Sequence, residues 1–199
     1  MWVILSVMAF ASAVVLERFI YYFIYCRTNG NLVVHRVLTA IDTNNTDQAV
    51  KIVNKRKTPF NNLLKVALER YTNGAAIERI MEGVEKTSIR ELPRIFTRMN
   101  YLSLSANIAT LLGLLGTITG LQTSFGSLSS VDAASKASLL ANGISEAMNT
   151  TAFGLIVAVP CMIMYTMLNN RQQALVKDID DGIATFLDAV KEKRNETAA

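Results

Sequence analysis

Between Arg98 and Asp132 the chain carries no charged side chain, and the run from Asn100 to Phe125 is mostly apolar. At about 1.5 Å per residue, such a run is long enough to cross the roughly 30 Å hydrocarbon layer of a bilayer. A backbone in hydrocarbon must satisfy its own N–H and C=O groups, which leaves only a helix or a closed barrel. A barrel requires many alternating strands of about ten residues, and this sequence has very few alternating segments. The expected fold class is therefore an all-α membrane protein. Composition points the same way: 51% of residues are hydrophobic, 18% are charged and the mean hydropathy is +0.28. A soluble domain carries about a quarter charged residues, and a disordered chain has few apolar ones.

Two further spans are expected. Ala147 to Asn170 is charge-free and interrupted only by Pro160, which membrane helices tolerate when neighbours satisfy the freed carbonyl. The apolar run Met1 to Leu16 is slightly short. Trp2 at one end and Phe19, Tyr21, Tyr22 and Tyr25 at the other stand about 28 Å apart along a helix, the separation of two aromatic belts. A cleaved signal peptide is the rival reading, because Ala9, Ala11 and Ala13 resemble small cleavage-site residues, but no basic stretch precedes them. Basic residues set the orientation. Arg27, Arg36, Lys86, Arg90, Arg94 and Arg98 flank the first two spans on one side and Arg171 and Lys177 follow the third, whereas the connection from Gly126 to Glu146 has only Lys136. The expected layout is transmembrane helix 1 at 1–25, a cytoplasmic helical module at 26–98, transmembrane helix 2 at 99–126, a periplasmic loop at 127–146, transmembrane helix 3 at 147–168 and a cytoplasmic amphipathic tail at 169–199. The N-terminus is then periplasmic and the C-terminus cytoplasmic. The net charge of +4 is explained by attraction to anionic headgroups of the lipid bilayer and calls for no nucleic acid.

In the 26–98 module, Asn44 or Asn45 is placed to cap a helix and Pro59 to start another. From Ala75, the residues Ile77, Ile80, Met81, Val84, Ile95 and Met99 keep a helical stripe, predicting that the second span continues this helix, bent at Pro93. In the tail, Ile179, Ile183, Phe186, Leu187 and Val190 form another stripe. Either the 26–98 helices or a neighbouring subunit could cover it, so oligomerisation is expected.

Enzyme chemistry finds no support. Cys26 and Cys161 are expected to be free thiols, and His35 alone cannot build a metal site. The Gly113–Gly120 segment lacks the Gly-Lys-Ser/Thr ending of a phosphate loop. Gly113, Gly116 and Gly120, with Ala109, lie on nearly one side of the second span, as in closely packed membrane helices. Thr110, Thr117 and Ser124 recur every seven residues on that span, with Asn107 on an adjacent face, and the third span adds Asn149, Thr150 and Thr151. Each threonine alone is as readily a back-bonded structural residue, but together they suggest a polar path. Glu146 and Thr151, about 7.5 Å apart along the axis, could mark its outer mouth, although a plain interfacial Glu146 is nearly as good an explanation. Glu17 and Arg18 either pair or reach for the inner headgroups. Neither of the last two spans holds an Asp, Glu, Lys or His at mid-depth. If protons cross here, another subunit must supply the titrating carboxylate.

Two blocks carry a family resemblance. The first is Glu91-Leu-Pro-Arg94, then Leu111-Leu-Gly-Leu-Leu-Gly-Thr117-Ile-Thr-Gly120 and Phe125. The second is Gly143-Ile-Ser-Glu146-Ala-Met-Asn-Thr-Thr151-Ala-Phe-Gly154-Leu-Ile-Val-Ala-Val-Pro160, ending in Tyr165. With Leu16-Glu17-Arg18, they resemble the MotA/TolQ/ExbB proton channel family, strongly over residues 88 to 168. Three spans fit its ExbB and TolQ branch rather than the four-span flagellar stators. The resemblance implies a homopentamer around a central pore that holds single-span ExbD- or TolR-like subunits, whose aspartate carries the proton. It implies no cofactor beyond the coupling ion, and a TonB- or TolA-like protein as a further partner. By position, Thr117 and Thr151 are the family's pore-facing hydroxyls, Glu146 its acidic residue near the outer entrance, Pro160 its bend, and Gly154 belongs to its helix packing. Many members have proline where this chain has Thr110, and Asn149 replaces a usually apolar residue. The expected role is a motor subunit of the bacterial inner membrane that uses the proton motive force to energise TonB-dependent outer-membrane transport. TolQ-like or gliding-motor work and a non-conducting scaffold are the alternatives, and sodium coupling stays open.

Overall fold

The computed structural model describes residues 2–26, 30–43, 45–128 and 133–198, and their regular structure is helical throughout. Arg27, Asn44 and Asp132, used in the reasoning above, lie outside the described residues. The helices are α1 (Trp2–Ile20), extended by a π-helical turn (Tyr21–Tyr25), α2 (Gly30–Asp42), α3 (Thr46–Asn54), α4 (Pro59–Thr72), α5 (Ile77–Phe96), α6 (Met99–Ser127) and α7 (Ala133–Ala198). They divide into two compact units, Met1–Phe19 with Arg98–Asn169, and Ile20–Thr97 with Asn170–Ala199.

In the first unit, α1, α6 and the first part of α7 belong to the three stretches long and apolar enough to cross a membrane, Trp2–Ile24, Ile77–Ser127 and Ser135–Asn195. Much of their surface is large exposed side chains, among them Phe10, Leu111, Ile118, Ile156 and Ile163. Lipid contact makes that surface stable, so such helices are held together by close packing of small residues rather than by burial from water. Ala11 of α1, Ala106, Ala109 and Gly113 of α6, and Ala147, Gly154 and Ala158 of α7 are accordingly buried. Phe10 and Tyr101 meet edge to face with centroids 6.3 Å apart. Helix α7 begins at Ala133, so most of the 127–146 connection is helical. This stretch has no proline or glycine before Gly143 to interrupt a helix.

The second span does not run on from α5 without a break. The Thr97 N–H and hydroxyl both bond to the Pro93 carbonyl, at 3.0 and 2.8 Å, and Arg98 then adopts a left-handed conformation (φ 68°) before α6 starts. A non-glycine residue pays for that conformation, and Arg98 is held there by an ion pair with Glu17.

In the second unit, local chemistry sets the helix ends. The Asn45 side chain accepts from the Gln48 N–H at 3.2 Å, and Thr58 accepts from the Asn61 N–H at 3.2 Å with Pro59 as the first residue of α4. The Asn61 amide donates to the carbonyls of Val53 and Arg56, closing α3. Gly74, at φ 72°, turns the chain out of α4. On α5, Ile80, Val84 and Ile95 are buried but Met81 is 53% exposed, so the working stripe is narrower than the apolar pattern.

The tail stripe is covered within its own chain. Ile179, Ile183, Phe186 and Val190 are buried, and a Cβ added to Gly182 would sit 2.7 Å from the Phe60 ring. No neighbouring subunit is needed to explain it. Tyr22, expected in an interfacial belt, is instead fully buried. Its hydroxyl donates to the Ile95 carbonyl at 2.8 Å and lies 3.2 Å from Gln172 Oε1. The π-helical turn puts it there, and the Ile95 carbonyl needs an outside donor because the helix ladder stops at Thr97.

Candidate functional site

Helices α6 and α7 pack along a seam that their glycines make possible. A Cβ on Gly113 would lie 3.3 Å from the Cα atoms of Gly154 and Thr151, one on Gly116 would strike Thr150 Cγ2 at 2.2 Å, and one on Gly120 would come 3.0 Å from Ala147 Cβ. At Gly154 a Cβ would meet backbone, 2.7 Å from the Ala109 carbonyl. The two helices thus run in opposite directions in register, Gly113 level with Thr151 and Gly120 with Ala147.

The hydroxyls line up along this seam and its edge. Thr117 donates to the Leu114 carbonyl at 2.7 Å and Thr110 to the Ala106 carbonyl at 3.1 Å, both within α6. Thr150 bonds to the Glu146 carbonyl at 3.0 Å. Thr151 crosses the seam, donating to the Gly113 carbonyl at 3.0 Å. Thr117 and Thr151 are half-buried, Thr110, Asn107 and Asn149 exposed, and Ser124 buried where Gly143 approaches it. A seven-residue repeat drifts by about 20° per step on a straight helix, which is why Thr110 and Ser124 do not share one environment.

Glu146 is exposed, and a separation of five residues turns it about 140° away from Thr151 around α7. Pro160, exposed on α7, lines a groove of about 400 Å3 with Met8, Ala11, Val15, Val157 and Cys161. Glu17 pairs with Arg98 and, at 3.5 Å, with Arg18, whose side chain is only 6% exposed. The Glu17–Arg18 pair was one of the two sequence readings, but the Arg98 arm of the cluster could not be read from the sequence, because Arg98 stands 81 residues from Glu17. Cys26 and Cys161 are buried, and His35 is exposed. No group of three or more His, Cys, Asp or Glu side chains that could hold a metal occurs among the described residues. The seam therefore offers hydroxyl and carbonyl oxygens at close quarters and no titrating group of its own.

The sequence profile of the MotA/TolQ/ExbB proton channel family matches residues 55–181. The chain is 32% identical over 173 residues to the putative biopolymer transport protein ExbB-like 3 of Synechocystis sp., covering 84% of this chain and 80% of that protein. It is 29% identical over 172 residues to the biopolymer transport protein ExbB of Neisseria gonorrhoeae, covering 79% and 76%. To the Tol-Pal system protein TolQ of Haemophilus influenzae it is 31% identical over 112 residues, covering 56% of this chain and 49% of that protein. The chain thus spans about half the length of that TolQ.

Proposed function

The chain belongs to the MotA/TolQ/ExbB proton channel family, and we propose that it is the channel and motor subunit of an ExbB–ExbD-like complex in a bacterial inner membrane. In this reading it assembles as a homopentamer, its N-terminus is periplasmic and its tail cytoplasmic. Proton flow past Thr117 and Thr151 drives a single-span partner that carries an aspartate. A TonB-like protein passes the work to outer-membrane transport.

One observation carries the reading: the α6–α7 seam concentrates hydroxyls between two spans that contain no mid-depth Asp, Glu, Lys or His. Burying a charge at mid-membrane costs about 2.5–3.5 kcal/mol on insertion scales. A chain without such a charge forms a stable wall, and the carboxylate is brought only where a second subunit supplies it. The longer match to the ExbB relatives, 84% and 79% of this chain, favours the import role, while the match to TolQ supports a second reading, envelope constriction through a TolA-like partner.

The test is energy-dependent ferric-siderophore uptake in the native host, comparing wild type, a deletion and a chromosomal Thr151→Val strain with equal membrane levels. Loss of uptake in both mutants is expected. Normal uptake with a constriction defect in the deletion would transfer the role to the Tol type. Loss in the deletion alone would make the chain a scaffold.

A further inference from the structure

A hydroxyl has one proton to donate and two lone pairs, and on a membrane helix the proton usually goes to a carbonyl one turn back. Thr110, Thr117, Thr119, Thr123, Thr150 and Thr166 all follow this rule. Thr151 departs from it, sending its proton across the seam to the Gly113 carbonyl. That carbonyl already accepts the helical N–H of Thr117, so the cross-seam bond occupies its second lone pair. The approach depends on missing side chains: a Cβ at Gly113 would lie 3.3 Å from the Thr151 Cα. A back-bonded threonine keeps its bond wherever its helix goes. The hydrogen-bond state of Thr151 depends on α6 staying this close.

We propose that Gly113 is a positioning residue that acts through Thr151, holding its only proton so that the Thr151 oxygen meets the ion path purely as an acceptor. The inference rests on the proton-channel reading above. An oxygen with only lone pairs to offer accepts from the O–H of a carboxylic acid and repels an ionised carboxylate. Thr151 therefore selects the proton-loaded form of the partner's carboxyl. A wider seam would free the Thr151 proton and remove that selection.

The test uses the complex purified with its partner subunits from host membranes and reconstituted in vesicles containing a pH-sensitive dye. Thr151→Val and Gly113→Ala each lower proton flux about tenfold, roughly the worth of one well-placed hydrogen bond. Thr151→Ser, which keeps the hydroxyl, restores it. If Gly113 acts through Thr151, the double variant is no slower than Thr151→Val alone; multiplied losses would show independent packing and overturn the proposal. A second measurement reads the bond without flux. With 13C-carbonyl glycine and 15N-leucine, this chain gives solid-state NMR cross-peaks only from the pairs Gly113–Leu114, Gly120–Leu121 and Gly154–Leu155, and the peak lost in Gly113→Ala identifies the first. Thr151→Val should shift the Gly113 carbonyl upfield and leave Gly120 in place, and an unmoved Gly113 would overturn the proposal. A wild-type complex without flux would count against the channel reading, with the NMR result still deciding the bond.

Discussion

Replacing Gly154 by alanine tests whether backbone contact holds α6 to α7. The new Cβ would stand 2.7 Å from the Ala109 carbonyl oxygen and 3.0 Å from the Gly113 Cα. Ordinary contacts start near 3.4 Å, so the helices must part by roughly 0.7 Å, and neither neighbour is a flexible side chain that can swing aside. Overpacking of this kind costs about 1–3 kcal/mol, offset by up to about 1 kcal/mol because alanine is the better helix former. Gly126→Ala is the control: its Cβ meets nothing within 4 Å, so only the helix-forming gain remains. The two variants should differ by about 1–3 kcal/mol. At about 2–4 °C per kcal/mol for a chain of this size, the Gly154 variant melts some 2–12 °C below the Gly126 variant. The assay is the thermal midpoint in mild detergent, read by the fraction still eluting as a single species after heating. A Gly154→Ala protein that melts at or above the Gly126→Ala protein would refute the close-packed seam.

Two other substitutions probe the second unit. Tyr22→Phe removes the hydroxyl that the Ile95 carbonyl relies on and should cost about 1–3 kcal/mol, seen as a lower thermal midpoint and faster hydrogen exchange around Ile95; unchanged exchange there would show that the bond contributes nothing. Phe186→Ala empties a fully buried position at about 3–5 kcal/mol, so proteolysis within α2–α4 should accelerate, and far more than for the half-buried Leu187→Ala.

The spans were legible because charge is absent over distances that match a bilayer, and no other fold tolerates that. Helix ends were legible where a side chain announces them, as Asn45 and Pro59 do. The break at Arg98 was not, because nothing marks an arginine as left-handed until its partner Glu17 is placed beside it. Tyr22 looked like a belt residue by composition alone, and only the π-helical turn turns it inward. At the seam, spacing put Thr117 and Thr151 on candidate faces. It could not reveal that Thr151 bonds to the opposite helix, since all the other threonines of that unit bond to their own.

The interleaving of the two units bears on synthesis. The second unit takes Ile20–Thr97 early and Asn170–Ala199 late, with the whole stretch from Arg98 to Asn169 made between them. While that stretch is being translated, Phe60 and Val34 lack the α7 segment around Gly182 that lies against them. A nascent chain therefore presents an unfinished apolar surface until its last helix emerges, a window in which a chaperone can bind or a premature stop can be sensed. Residues 26–98 expressed alone would reproduce that half-made state rather than a finished domain.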